Sequence, residues 1–152
     1  MINLALGKGY KLAFEASSDH WSTHMSYAIA LVKDATRESL LEAFQQRHIY
    51  GASDVILAEV TSGQHIMGDI FSTAAQPELK VKLEGTAPLA KVSIVKDNNH
   101  AYVITPGTSS VNFTWRDTAP VPGRESYYYV RGEQQDGEIV WVSPMWITYT
   151  GN

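Results

Sequence analysis

Residues 78–85 read ELKVKLEG, and their alternation decides the fold class. Leu79, Val81 and Leu83 fall on one side of an extended chain, and Lys80 and Lys82 on the other. That period of two is the mark of a strand with one face in a core and one in water. Similar short runs lie on both sides: DVILAEV, HIMGDIF, KVSIVKD, AYVIT, SVNFTWR, SYYYVRGEQ and IVWVSPMWITYT. They are rich in β-branched and aromatic residues. Turn signals part them at Ser62-Gly63, Gln76-Pro77, Asp97-Asn98-Asn99, Pro106-Gly107, Pro122-Gly123 and Asp136-Gly137. Seven or eight strands at this spacing over about a hundred residues predict an antiparallel β-sandwich. Gln134–Glu138 reads as a hairpin turn.

Upstream of residue 50 the rhythm changes. INLALGKG is a short helical turn ending at Gly7 or Gly9. YKLAFEAS alternates like a strand, and SYAIALVKD is a nearly continuous apolar run, the pattern of a strand buried on both faces. TRESLLEAFQQRH is the clearest helix: Thr36 caps it, Glu38 suits the positive end of its dipole, Leu40, Leu41 and Phe44 form its apolar stripe, and Gly51 follows. The expected fold class is therefore α+β, a short βα segment at 1–50 packed on a mainly antiparallel sandwich at 51–152. No Gly/Ser-rich linker divides the two parts, and there is no internal repeat.

Composition narrows the function classes. Of the 152 residues, 44% are hydrophobic and 18% charged, enough apolar material for a core. The net charge of −4 and the lack of a basic cluster argue against nucleic acid as a partner. No apolar stretch approaches membrane-spanning length, and no signal peptide opens the chain, so the expectation is no membrane and a cytoplasmic location if Met1 is the true start. The absence of cysteine excludes disulfides and thiolate metal sites.

The densest chemical stretch is EASSDHWSTHMSY, residues 15–27. Asp19, His20 and His24 are carboxylate and imidazole groups of the kind that hold zinc, manganese or iron. Two readings stay open on the residues alone: a partial metal site, or a polar loop whose side chains bond to nearby backbone. A Ser-His-Asp hydrolase is disfavoured, because adjacent Ser18, Asp19 and His20 splay apart and no G-x-S-x-G is present. His48, His65 and His100 show no spacing that ties them to this loop. His65, Met67 and Asp69 share one strand parity and read as structural, with Gly68 marking a bulge or a close backbone approach. The aromatic set Tyr127, Tyr128, Tyr129, Trp141, Trp146 and Tyr149 reads first as core, and otherwise as a sugar-stacking platform.

Residues 5–57, through SSDHWSTH and TRESLLEAFQQRHIYGASD, resemble the end of a PHP-type metal-dependent phosphoesterase domain. In that family a distorted barrel holds metal ions at the C-terminal ends of its strands. The resemblance implies Asp19 and His20 as late metal ligands, with His24 nearby. The family's earlier His-x-His, Glu and His ligands have no counterpart here. VPGRESYYYVRGEQQDGEIVWVSPMWIT resembles the last hairpin of a fibronectin type III-like sandwich, with Pro122-Gly123 and Tyr127 placed like a tyrosine corner. The expectation is a C-terminal, non-catalytic binding or assembly module of a PHP-type protein, residues 1–50 being a truncated barrel remnant. The alternative is a metal-dependent phosphoesterase whose site another chain or a missing N-terminal region completes. Strand edges left open by the absent barrel predict a homo-oligomer joined through residues 1–35.

Overall fold

The computed structural model describes residues 2–18 and 25–151. Most of the regular structure is β, largely antiparallel and arranged as two facing sheets. The smaller sheet has the order β4 (His65–Ile66), β3 (Leu57–Ser62), β6 (Glu78–Glu84) and β9 (Ser110–Arg116). The alternation of residues 78–84 is realised in β6: Leu79, Val81 and Leu83 are fully buried, and Lys80 and Lys82 are exposed. They meet Val92, Ile94, Val130, Val140 and Val142 of the facing sheet in one continuous core.

The larger sheet is organised by β10 (Glu125–Gln134), its longest strand. One edge of β10 pairs with β7 (Leu89–Lys96), which carries β8 (Asn99–Ile104). The other edge is shared by β11 (Ile139–Val142) and β12 (Met145–Tyr149). Ser143-Pro144 separates these two, and proline cannot donate to a ladder. The break lets the two halves take different neighbours. β11 pairs antiparallel with β2 (Ile49–Ala52), and β12 pairs parallel with β5 (Ile70–Thr73). β2 in turn carries β1 (Tyr27–Ala30), whose other edge has no strand partner among the described residues.

The segment before residue 50 differs from its sequence reading in three places. Residues 10–18 form no strand. They run as irregular chain over the sheet, held where the Phe14 amide donates to Ser143 Oγ at 2.8 Å and the Phe14 ring meets Tyr129 edge-on at 5.2 Å. Strand β1 is a part-exposed edge rather than a strand buried on both faces, because β2 is its one strand neighbour. Helix α2 (Arg37–Gln45) forms as expected, with Thr36 Oγ1 accepting from the Ser39 amide, after the six-residue α1 (Ile2–Gly7). Yet it buries Ala43 and leaves Leu40, Leu41 and Phe44 exposed.

The helix also ends differently. Arg47 takes the left-handed conformation at φ 62°, its amide donating to Phe44 O and that of His48 to Ala43 O. This pair of bonds is the Schellman stop usually given to glycine. Gly51 serves another purpose: a side chain there would come within 2.7 Å of the Glu15 backbone, so its absence lets residues 15–16 cross β2. The corner-type bond expected of Tyr127 is not made, since its buried hydroxyl has no partner among the described residues. Tyr50 makes such a bond instead, donating to Ile56 O at 3.2 Å and accepting from the Ala58 amide at 3.1 Å.

Candidate functional site

Asp19, His20 and His24, the ligands implied by the PHP resemblance, lie outside the described residues. Of the described residues on either side of them, Ser18 and Ser26 are bonded: the Ser26 amide donates to Ser18 Oγ at 2.7 Å. Among the described residues, no group of three or more histidine and acidic side chains is placed to hold a metal ion.

The structure does bring together a cluster that sequence reading left apart. Asp69 follows β4 in a tight turn, its amide donating to Ile66 O at 3.2 Å, and its carbonyl accepts from the Trp146 amide at 2.9 Å. Its carboxylate faces two imidazoles. Oδ1 lies 2.8 Å from His48 Nε2, and Oδ2 lies 3.2 Å from His65 Nδ1. Oδ2 also accepts from the Ile66 amide at 3.1 Å. Each imidazole uses a different oxygen, so the carboxylate separates them rather than sharing a centre with them. Burial alone would raise the Asp69 carboxyl, but the bonds from His48, the Ile66 amide and His65 outweigh it and hold the group below its ordinary value.

Local chain geometry makes this meeting possible. Gly68 has φ 95°, and a Cβ there would stand 2.4 Å from Arg47 O. The close approach read from Gly68 is thus an approach to the end of α2. Its partner Arg47 donates from Nε to Gly68 O at 3.0 Å, and its guanidinium lies 5.8 Å from the centre of the Trp146 ring. The row His65, Met67, Asp69 divides: Met67 is fully buried in the core, while the other two form the cluster. His65 also stacks on Phe71 at 3.7 Å with an interplanar angle of 8°. The cluster is a polar clasp between the α2–β2 connection and the sandwich.

A second buried polar group was also missed. Asp117, 4% exposed, accepts from Tyr128 Oη at 2.7 Å, from the Ala119 amide at 3.0 Å and from Lys96 Nζ. Burial raises this carboxyl and the Lys96, Tyr128 and Ala119 bonds lower it, with a net downward shift. The same contact and burial push the Tyr128 phenol upward, burial being the larger cause. Of the aromatic set, Trp146 and Tyr128 are each 1% exposed, and Tyr127 and Tyr129 are also buried. These four are core, and they offer no stacking platform.

Comparison with known proteins gives no family: no family model matches the chain, and no solved structure matches it. Three chlamydial proteins do. The chain is 29% identical to an uncharacterised protein of Chlamydia pneumoniae over 91% of its length. It is 26% identical over the same share to uncharacterised proteins of Chlamydia trachomatis and of Chlamydia muridarum. The chain spans about a quarter of the length of these relatives.

Proposed function

We propose that this chain is a non-catalytic binding and assembly module of a PHP-type phosphoesterase-like protein, built on a fibronectin type III-like sandwich. The observation that carries the reading is where apolar surface is left uncovered. Leu40, Leu41 and Phe44 on α2, with Ile2 and Leu4 on α1 and Tyr10 after it, are each at least 45% exposed. The open edge of β1 belongs to the same N-terminal segment. Uncovered apolar side chains and a free strand edge are what a docking surface presents. The relatives support the reading, because a region like this is one part of a longer polypeptide in each of them. The strand order supports the sandwich type: β3, β6 and β9 face β8, β7, β10 and the divided β11/β12.

The surface is covered by a second copy of the chain or by the barrel portion of a longer one. Light scattering on the purified chain separates these. A dimer that Leu41→Lys with Phe44→Lys converts to a monomer identifies the second copy. A monomer that captures a separately expressed barrel portion identifies the other. A monomer that captures nothing refutes the module reading. The loop of Asp19, His20 and His24 is, on this reading, one corner of an incomplete site for a divalent metal. Metal analysis of the purified chain should find no stoichiometric zinc, manganese or iron. Stoichiometric metal lost on His20→Ala would replace this reading with a hydrolase completed by another chain.

A further inference from the structure

We propose that the open edge of β1 pairs antiparallel with the same edge of a second copy of the chain, about a twofold axis at Ile29. The proposal rests on the assembly reading and fixes its partner, strand and register. Parity along β1 shows which backbone groups are on offer. The Leu31 amide donates to His48 O at 2.8 Å, so Leu31, Ile29 and Tyr27 turn their N–H and C=O groups toward β2. Ala28 and Ala30 turn theirs to the open side. Ser26 shares that parity, and Ser18 Oγ accepts from its amide at 2.7 Å and donates to its carbonyl at 3.5 Å. Ala28 and Ala30 have no such cap among the described residues.

The edge is self-complementary. With Ile29 opposite Ile29 of the second copy, Ala28 of each copy falls opposite Ala30 of the other. Each of these pairs then exchanges both of its hydrogen bonds. On the face toward the core, Leu31 falls opposite Tyr27 of the second copy. Ile29 and Leu31 already pack against the core and line an apolar cavity of about 440 Å³ with Leu57, Ile66 and Met67. The second copy's Ile29 and Tyr27 come to that same face. Charge fits as well. In this register Lys33 falls opposite Met25, and residues 25–32 carry no charge, so no like charges meet.

Edge strands that stay unpaired are usually guarded by a lysine, a proline or a bulge. Tyr27–Ala30 has no charge and no proline, and its register with β2 is unbroken. Ala28 and Ala30 are also small, so nothing on the outer face hinders approach. The open edge of β8 differs: it carries Asn99 and His100, and its register with β7 shifts between Ile94 and Val95. A four-residue pairing alone falls short of the roughly 800 Å² per partner that a stable dimer buries. Helix α2 packs against β1 and exposes Leu40, Leu41 and Phe44. That apolar face adjoins the pairing and supplies further area.

The test is sedimentation equilibrium on the whole chain over a concentration series, where the wild type should dimerise. Ala28→Pro removes an outward N–H at an edge position, where proline is tolerated. It takes one bond from each pair and should raise the dissociation constant about a hundredfold, at about tenfold per bond. The dilute monomer should keep its thermal midpoint. The chain has no cysteine, so an introduced one reads the register. Directly opposite, non-hydrogen-bonded residues have Cα atoms about 4.5 Å apart, within disulfide reach, so Ile29→Cys should cross-link on mild oxidation. Leu31→Cys, offset from its own copy by about 13 Å along the strands, should not. If Ala28→Pro fails to fold, the two cysteine variants decide. A monomer throughout the series without an Ile29→Cys cross-link overturns the proposal. A dimer that Leu41→Lys with Phe44→Lys dissolves and Ala28→Pro leaves intact overturns the β1 pairing while the assembly reading stands. A cross-link through Leu31→Cys in preference to Ile29→Cys overturns the register and with it the proposal.

Discussion

Replacing Asp69 tests whether the clasp holds the N-terminal segment to the sandwich. Its carboxylate accepts from His48, His65 and the Ile66 amide at 2.8, 3.2 and 3.1 Å. Bonds to a charged acceptor contribute about 1.5–3 kcal/mol each when well buried. The Asp69 side chain is 26% exposed and that of His65 43%, so water replaces part of each bond. Asp69→Asn keeps one acceptor oxygen and turns the other position into a donor. It should cost about 2 kcal/mol, close to 6 °C in the thermal midpoint for a chain of this size. The assay is urea unfolding of Asp69→Asn, His48→Ala and the double variant at pH 7. The cycle should give a coupling of about 1 kcal/mol between the two residues. The pH dependence has a defined sign. The folded carboxyl lies below its ordinary 3.8, so its contribution is complete above that value and is lost as pH falls through the lower folded one. An Asp69→Asn protein as stable as the wild type at pH 7, with zero coupling to His48, would refute the clasp.

Gly68→Ala should be among the most harmful small substitutions, since its Cβ would meet the backbone at Arg47 O at 2.4 Å and φ is 95°. We expect a loss of about 2–4 kcal/mol in urea unfolding, from positive-φ strain and displaced backbone together. Asp117→Asn keeps one acceptor oxygen where Tyr128 and the Ala119 amide use two, and leaves Lys96 without its counter-charge, so it should cost about 2 kcal/mol at neutral pH. Because Asp117 is also held below its ordinary 3.8, the gap between variant and wild type should close as pH falls through the folded value. A chain trimmed to residues 51–152 loses half of β2, whose four residues are all buried and which pairs with β11. It should aggregate or melt earlier, which size-exclusion chromatography and circular dichroism would show; an intact, monomeric product would count against this pairing.

The sandwich was legible because its signals are local. Period-two alternation in β6 and turn residues such as Asp97-Asn98 and Asp136-Gly137 act over a few neighbours, and tertiary contacts then agree with them. The N-terminal segment was less legible because its structure is set by distant partners. Phe14 is apolar in an alternating run, but its amide goes to Ser143 rather than to a strand neighbour. The stripe of α2 predicts a buried face, and the described residues supply no cover for it. The His48–Asp69–His65 cluster was invisible for a related reason. His65 and Asp69 share a parity, which the sequence shows, but His48 reaches them only through the left-handed turn at Arg47. Arginine gives no compositional hint of that conformation, whereas glycine would have.

Breaking one strand links these features. At Ser143-Pro144 the strand neighbouring β10 divides, and backbone and side-chain groups at the break bond to two separate segments, one at Phe14 and one at Gly68-Asp69. Ser143 Oγ accepts from Phe14, Pro144 O accepts from Gly68 at 3.1 Å, and the Trp146 amide donates to Asp69 O. These contacts tie the break to segments on different sides of the sheet. Phe14 lies four residues before Ser18, whose hydroxyl accepts from the Ser26 amide. Gly68 and Asp69 form the clasp with α2. Trp146 lies beside a cavity lined by Lys11 and Tyr127. A continuous strand paired with one neighbour along its length would not have left the Pro144 carbonyl to Gly68. The proline break is therefore the point through which the sandwich positions the N-terminal segment, and through it the surface that the assembly reading requires.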